Sequence, residues 1–252
     1  MTLHSVSQGS GNRRISFVHG FTQTHRSWIK PATGINNSTH IFIDAPNHGE
    51  SQDTSLNLQQ TATELANIAH DSVLVGYSMG ARMALHAIIA YPDSFTGAVL
   101  VGATPGLPDA HDRTERIAAD EALAMSIERD GTKVFLESWT TQPLFQFSHF
   151  DDSDIQDRLR NSPRALASSL RLCGTGQQQP LWDRLSEITI PVLLVTGEFD
   201  IKFTETAHKM HNLINNSQIA VIKSAGHCAH TDQPEAFAEV VNRWLDSQPN
   251  SK

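Results

Sequence analysis

Two cysteines, Cys173 and Cys228, are all that the 252 residues contain, and neither stands in a CxxC or paired zinc spacing. A disulfide framework is thereby excluded, and both side chains are expected to be reduced thiols. Basic residues are also scarce, 19 against 27 acidic ones, for a formal charge of −8. Such a chain repels phosphate backbones and offers anionic lipid no basic stripe, so no nucleic-acid partner is expected. Long apolar runs are missing as well. No stretch approaches the ~18 consecutive apolar residues of a membrane span, and the opening "MTLHSVSQGSGNRR" has no apolar signal core. We therefore expect no membrane partner and a cytoplasmic location. Thirteen histidines invite a metal reading, but His208-x-x-His211 and His227-x-x-His230 come with neither an HExxH pattern nor a third ligand, and no metal is expected.

What is present is an alternation of strand-like and helix-like segments. "RISFVHG" (14–20), "HIFIDAP" (40–46), "SVLVGYS" (72–78), "GAVLVGA" (97–103), "IPVLLVTG" (190–197) and "SQIAVIKSAG" (217–226) are short β-branched runs that end in turn residues. Between them, 56–70, 79–91, 204–213 and 234–246 carry apolar residues at helical spacing. This pattern predicts an α/β fold with a mainly parallel sheet flanked by helices. Residues 105–186 break the alternation, with helix-like mixtures, several Pro and Gly, and no convincing strand. We expect a single domain whose core comprises residues 1–104 and 187–252, with 105–186 inserted as a helical cap over the carboxyl ends of the strands.

The motif with the clearest chemistry is Gly76-Tyr77-Ser78-Met79-Gly80, between a buried strand and a helix. Glycines at both ends permit the sharp turn that lifts a serine hydroxyl clear of a sheet. A serine needs a base, and the base needs an orienting acid, in the chain order Ser, acid, His. "LLVTGEFD" places Asp200 just past a strand, with Glu198 as its rival. "IKSAGHCAH" places His227 after the next strand, with His230 as the rival base, more commonly a capping or surface residue. Two backbone N–H donors for an oxyanion are expected at Met79 and at Phe21 in "VHGFTQTHRSW". Arg82, one helical turn beyond Ser78, faces either the cavity floor or solvent. The 105–186 segment holds nine basic residues, eight of them arginine, a bias suited to bidentate carboxylate binding. Thirteen acids in the same segment leave only a few of those arginines for a pocket.

These residues, together with "HGF" and "DAPNHGES" (44–51), resemble the α/β-hydrolase fold across nearly the whole chain. Asn47 stands where that family usually has glycine, and asparagine tolerates the left-handed backbone the turn requires. "GYSMGARMA", "TPGLPDAHDRTER", "WTTQPLF", "GEFDIKF" and "AGHCAH" are further similar to the 2-succinyl-6-hydroxy-2,4-cyclohexadiene-1-carboxylate synthases of menaquinone biosynthesis. That resemblance implies a lyase that eliminates pyruvate from 2-succinyl-5-enolpyruvyl-6-hydroxy-3-cyclohexene-1-carboxylate, with a Ser78, His227 and Asp200 triad as the proton-abstracting base. It implies a small polycarboxylate substrate, no cofactor, and substrate contacts from Tyr77, Arg82, Arg116, Trp139 and Arg160. Arg158 or Arg164 could take the place of Arg160. A carboxylesterase or carbon–carbon hydrolase would use Ser78 as a covalent nucleophile instead. Nothing in the sequence sets the oligomeric state.

Overall fold

The computed structural model describes residues 2–248. Seven strands form one sheet in the order β1-β3-β2-β4-β5-β6-β7. They are β1 (Ser5–Gln8), β2 (Arg13–Val18), β3 (Ser38–Ile43), β4 (Ser72–Tyr77), β5 (Phe95–Val101), β6 (Val192–Gly197) and β7 (Ser217–Ile222). Six run parallel, and β1 pairs antiparallel with β3 at the edge. The six parallel strands are those expected. β1 was not anticipated, because "SVSQ" has no apolar run and is mostly exposed, as suits an edge strand.

Central strands bury both faces, and β4 is buried at every position. Hence they read as continuous apolar runs rather than as alternations. The helices are α1 (Ile29–Ala32), α2 (Leu58–Ile68), α3 (Met79–Ala90), α4 (Ala110–Trp139), α5 (Asp152–Arg158), α6 (Pro163–Cys173), α7 (Ile201–His211), α8 (Ala229–Asp232) and α9 (Pro234–Ser247). α2 begins with a reciprocal capping box between Asn57 and Gln60. One apolar cluster joins the sheet to α2, α3 and α7, and a second joins its other face to α1, α8 and α9.

Between β5 and β6 the chain has no strand. α4 is interrupted at Gly131, whose φ of 84° and ψ of 162° are not helical. Its two parts pack with α6 around a small core of their own, which includes Ala124, Ile127, Leu136, Leu166 and Leu170. Among the described residues no helix is long and apolar enough to cross a membrane.

Candidate active site

Main-chain geometry builds the centre of the site. Ser78 joins β4 to α3 with φ 50° and ψ −105°, a conformation that costs a non-glycine residue on the order of 1–3 kcal/mol and persists only when its surroundings impose it. The flanking glycines are imposed by contact. A Cβ on Gly76 would lie 2.5 Å from the Gly80 oxygen, and one on Gly80 would lie 2.2 Å from the Val18 oxygen. The Ser78 N–H donates to the Val101 carbonyl at 2.8 Å, which ties the turn to β5.

The loops after β6 and β7 bring the other two groups to this turn. His227 Nε2 is 3.0 Å from Ser78 Oγ, and its Nδ1 is 2.7 Å from Asp200 Oδ2. Imidazole and carboxylate are both buried. Gly102, at φ 58°, clears the ring's other side, since a Cβ there would stand 2.7 Å from His227 Cε1. Glu198, the rival acid, turns outward and accepts from the Ser224 N–H at 2.9 Å. His230, the rival base, is neither a cap nor a surface residue. It is fully buried against Trp28 and Tyr77, at ring separations of 4.2 and 4.4 Å. Both its nitrogens lack partners among the described residues, and burial, reinforced by His227 and Arg158, pushes its pKa down to about 3.

The Met79 N–H is the first of α3, and helix geometry leaves it no intrahelical acceptor. In the loop after β2, Gly20 N–H donates to Gln23 Oε1 at 2.9 Å and Thr22 N–H to His48 Nε2 at 3.2 Å. The N–H of Phe21 lies between them with no acceptor among the described residues. This loop is held from below by Asp44 of the "DAPNHGES" turn. Its carboxylate accepts from His25 N–H, His25 Nδ1, His4 Nδ1 and Glu50 N–H at 2.8–3.1 Å. Burial alone would raise the Asp44 carboxyl, but the His25 hydrogen bond and the adjacent His19 outweigh it and hold the group well below the usual range. Asn47 takes φ 62°, the left-handed turn expected of it. Neither histidine pair that the sequence suggested for a metal gathers a third ligand among the described residues. His4, His25 and Asp44 do gather, as the hydrogen-bonded support of this loop.

A cavity of about 340 Å³ opens above Ser78 and His227, between the sheet and the helical segment. Phe21, Tyr77, Met79, Arg82, Arg116 and Trp139 all line it. Tyr77 is anchored by its hydroxyl, 3.0 Å from Cys228 Sγ, and burial raises its pKa well above the usual phenol value. Trp139 stacks edge-on against Phe21 at 5.4 Å. Arg82 is not a solvated helix residue: it is 7% exposed, and Nη1 donates to the carbonyls of Cys173 and Gly174 at the end of α6. Burial lowers its pKa to about 10, so it stays charged at neutral pH.

Arg160 does not join the group. It faces Asp157 at 3.7 Å in a separate surface groove. Arg160 lies in the turn two residues beyond the last residue of α5, where the chain has already left the helix and carries the side chain away from the cavity. That last helical residue, Arg158, lines the cavity. It is buried, donates to Thr22 Oγ1 and lies 4.9 Å from the centre of the Phe150 ring. Sequence reasoning named Arg158 only as a substitute, because α5 carries too little apolar periodicity to set its phase. Asn161 was missed altogether. It binds the Thr22 carbonyl at 2.6 Å and the Gly49 N–H at 2.8 Å, and so joins the helical segment to both loops.

Comparison with known proteins agrees with this geometry. The sequence profile of the alpha/beta hydrolase family matches residues 17–240. A Bacillus subtilis (strain 168) protein, provisionally named 2-succinyl-6-hydroxy-2,4-cyclohexadiene-1-carboxylate synthase, is 38% identical over 91% of this chain and 89% of its own. The protein of that name from Serratia proteamaculans (strain 568) is 28% identical, over 95% and 96% of the two chains. The solved structure of MenH from S. aureus superposes with a TM-score of 0.91 at 33% identity, over 96% of this chain and 98% of that one.

Proposed function

Because this chain belongs to the alpha/beta hydrolase family and, within it, to the 2-succinyl-6-hydroxy-2,4-cyclohexadiene-1-carboxylate synthases, we propose that its cavity eliminates pyruvate from 2-succinyl-5-enolpyruvyl-6-hydroxy-3-cyclohexene-1-carboxylate in menaquinone biosynthesis. The observation that carries this reading is a hydrogen-bonded Ser78, His227 and Asp200 set opening into a cavity walled by Arg82, Arg116 and Arg158, with no carboxylate in its lining among the described residues. The substrate bears carboxylates on the ring, the succinyl arm and the enolpyruvyl group, and three arginines suit them.

In this mechanism His227 takes the Ser78 proton, and Ser78 Oγ removes a substrate proton beside the succinyl carbonyl. Asp200 holds the imidazole tautomer and stabilises the imidazolium. Charge gathers on the carbonyl oxygen, which the Phe21 and Met79 N–H groups receive. The electron pair then expels the enolpyruvyl oxygen, breaking the ring carbon–oxygen bond, and the departing enolate gains a proton to become pyruvate. Water is not consumed. We place residues 105–186 as the cap that closes over this reaction. The two buried, unpaired thiols support a cytoplasmic setting.

The test is to mix the purified protein with the enolpyruvyl substrate and follow pyruvate, alongside hydrolysis of p-nitrophenyl esters. Rapid pyruvate release with slow ester cleavage is expected, since neutral esters lack the carboxylates that the arginines hold. Fast ester hydrolysis without pyruvate would establish an esterase instead.

A further inference from the structure

Arg82 and Arg116 both reach the cavity, and adjacent guanidiniums repel: the Arg116 charge is one of the causes that depress the Arg82 pKa, after burial. A seat made of neighbouring cations needs a fixed counter-charge. Among the described residues, the carboxylate ion-paired with an arginine of this cavity wall is Asp120, one turn beyond Arg116 on α4. Its Oδ1 accepts from Arg116 Nε at 2.8 Å. This contact uses the inner edge of the guanidinium and leaves Nη1 and Nη2 without partners among the described residues.

Asp120 is only 4% exposed, and its Oδ2 is buried with no hydrogen-bond partner among the described residues. An anionic oxygen in that state is costly, and its presence calls for a reason. The chain also makes room for it. Gly174, which follows α6, has φ −56° and ψ 160°, angles open to any residue. The backbone angles therefore do not require glycine there. A Cβ on Gly174, however, would stand 2.4 Å from Asp120 Oδ2 and equally close to the Leu170 carbonyl oxygen, so the carboxylate and the end of α6 share the space that glycine leaves. The carbonyls of Cys173 and Gly174 are the groups that hold Arg82 Nη1. One carboxylate thus grips Arg116 and packs on the turn that grips Arg82.

We propose that Asp120 is a positioning residue that presents Arg82 and Arg116 as one preorganised seat for a pair of substrate carboxylates. It acts through the two arginines and does not touch the substrate. The inference rests on the polycarboxylate reading above.

Asp120→Asn keeps the size and the Oδ1 acceptor but removes the charge. Gly174→Ala keeps the charge but crowds both the carboxylate and the Leu170 carbonyl, so Asp120→Asn is the cleaner of the two variants. Three readouts are needed: kcat and KM for pyruvate release, citrate affinity by calorimetry, and the rate at which a neutral phosphonate labels Ser78. For both variants we expect KM and the citrate Kd to rise roughly 10-fold or more, as for other losses of preorganisation. We expect kcat within about 3-fold of wild type and unchanged labelling, since the Ser78 turn is untouched. A merely structural Asp120 would lower thermal stability and leave KM and citrate affinity alone, which overturns the proposal. So would a wild-type protein that binds no citrate. Wild-type pyruvate release separately decides the functional reading, so its failure is distinguishable from the failure of the Asp120 inference.

Discussion

The strand-borne half of the site and the helix-borne half are held in place differently. At the carboxyl ends of β4, β6 and β7, backbone conformation and close packing fix the Ser78 turn and the space in which His227 and Asp200 pair. Ser78 has one strained turn available, Gly76 and Gly80 admit no side chain, and Gly102 leaves room for the His227 ring. Over that sheet, in 105–186, side chains locate one another. Arg116 is set by Asp120, Arg158 by Thr22 and Phe150, and Trp139 by a cluster of aromatic rings. The first arrangement is suited to chemistry that tolerates little displacement, the second to recognition that can vary.

If this division is right, the largest single effects come from the strand side and appear in kcat. Ser78→Ala and His227→Ala are each expected to lower turnover at least ~10²-fold, because proton transfer by a positioned base is typically worth 10²–10⁴. Thermal unfolding should hardly move, since neither change disturbs the glycines that fix the turn. Turnover near wild type in either variant would remove the triad from the reaction.

Helix-side changes should appear mainly in KM, and neighbouring arginines sharpen the contrast. Arg158→Ala leaves a substrate carboxylate without its partner in a largely desolvated wall, a loss of about 2–5 kcal/mol in kcat/KM. Arg160→Ala removes a half-exposed pair with Asp157 and should cost under ~1 kcal/mol. Arg82→Ala should resemble Arg158→Ala, with Arg82→Lys intermediate because the charge remains and the planar fork is lost. Equal kinetics for Arg158→Ala and wild type would show that the carboxylates bind elsewhere.

The same division explains what could be read in the sequence. The Ser78 turn was legible because a backbone that must turn sharply needs glycine at fixed positions, and Asp200 and His227 because each lies in the loop that follows a strand. Six strands were legible because burial on both faces leaves an uninterrupted apolar run. β1 was not, since a polar edge strand carries no such run. Arg158 was displaced to Arg160, because a seven-residue helix has too few turns to reveal its buried face. The buried state of His230 was invisible for a related reason: a polar residue in an aromatic core has no signature in spacing.

His230 also provides the smallest predicted effect, one of stability and pH. Its ring is fully buried and unpaired, and its pKa is lowered from 6.5 to about 3, by burial first and then by His227 and Arg158. Below pH 6.5 the unfolded chain binds a proton that the folded protein refuses. The stability owed to this residue is therefore complete above about pH 6.5 and falls as pH drops toward 3, by about 1.4 kcal/mol per unit. His230→Phe keeps an aromatic ring between Trp28 and Tyr77 and removes both the titration and two unsatisfied nitrogens. We expect the variant to be about 1 kcal/mol more stable at pH 7. Its advantage should grow by roughly 2 kcal/mol at pH 5, because between the two pH values the unfolded wild type alone gains the proton. Urea unfolding at the two pH values measures both quantities. An advantage that is the same at pH 5 and pH 7 would mean that the folded protein accepts the proton on His230, and that this part of the core is more open to water than its packing implies.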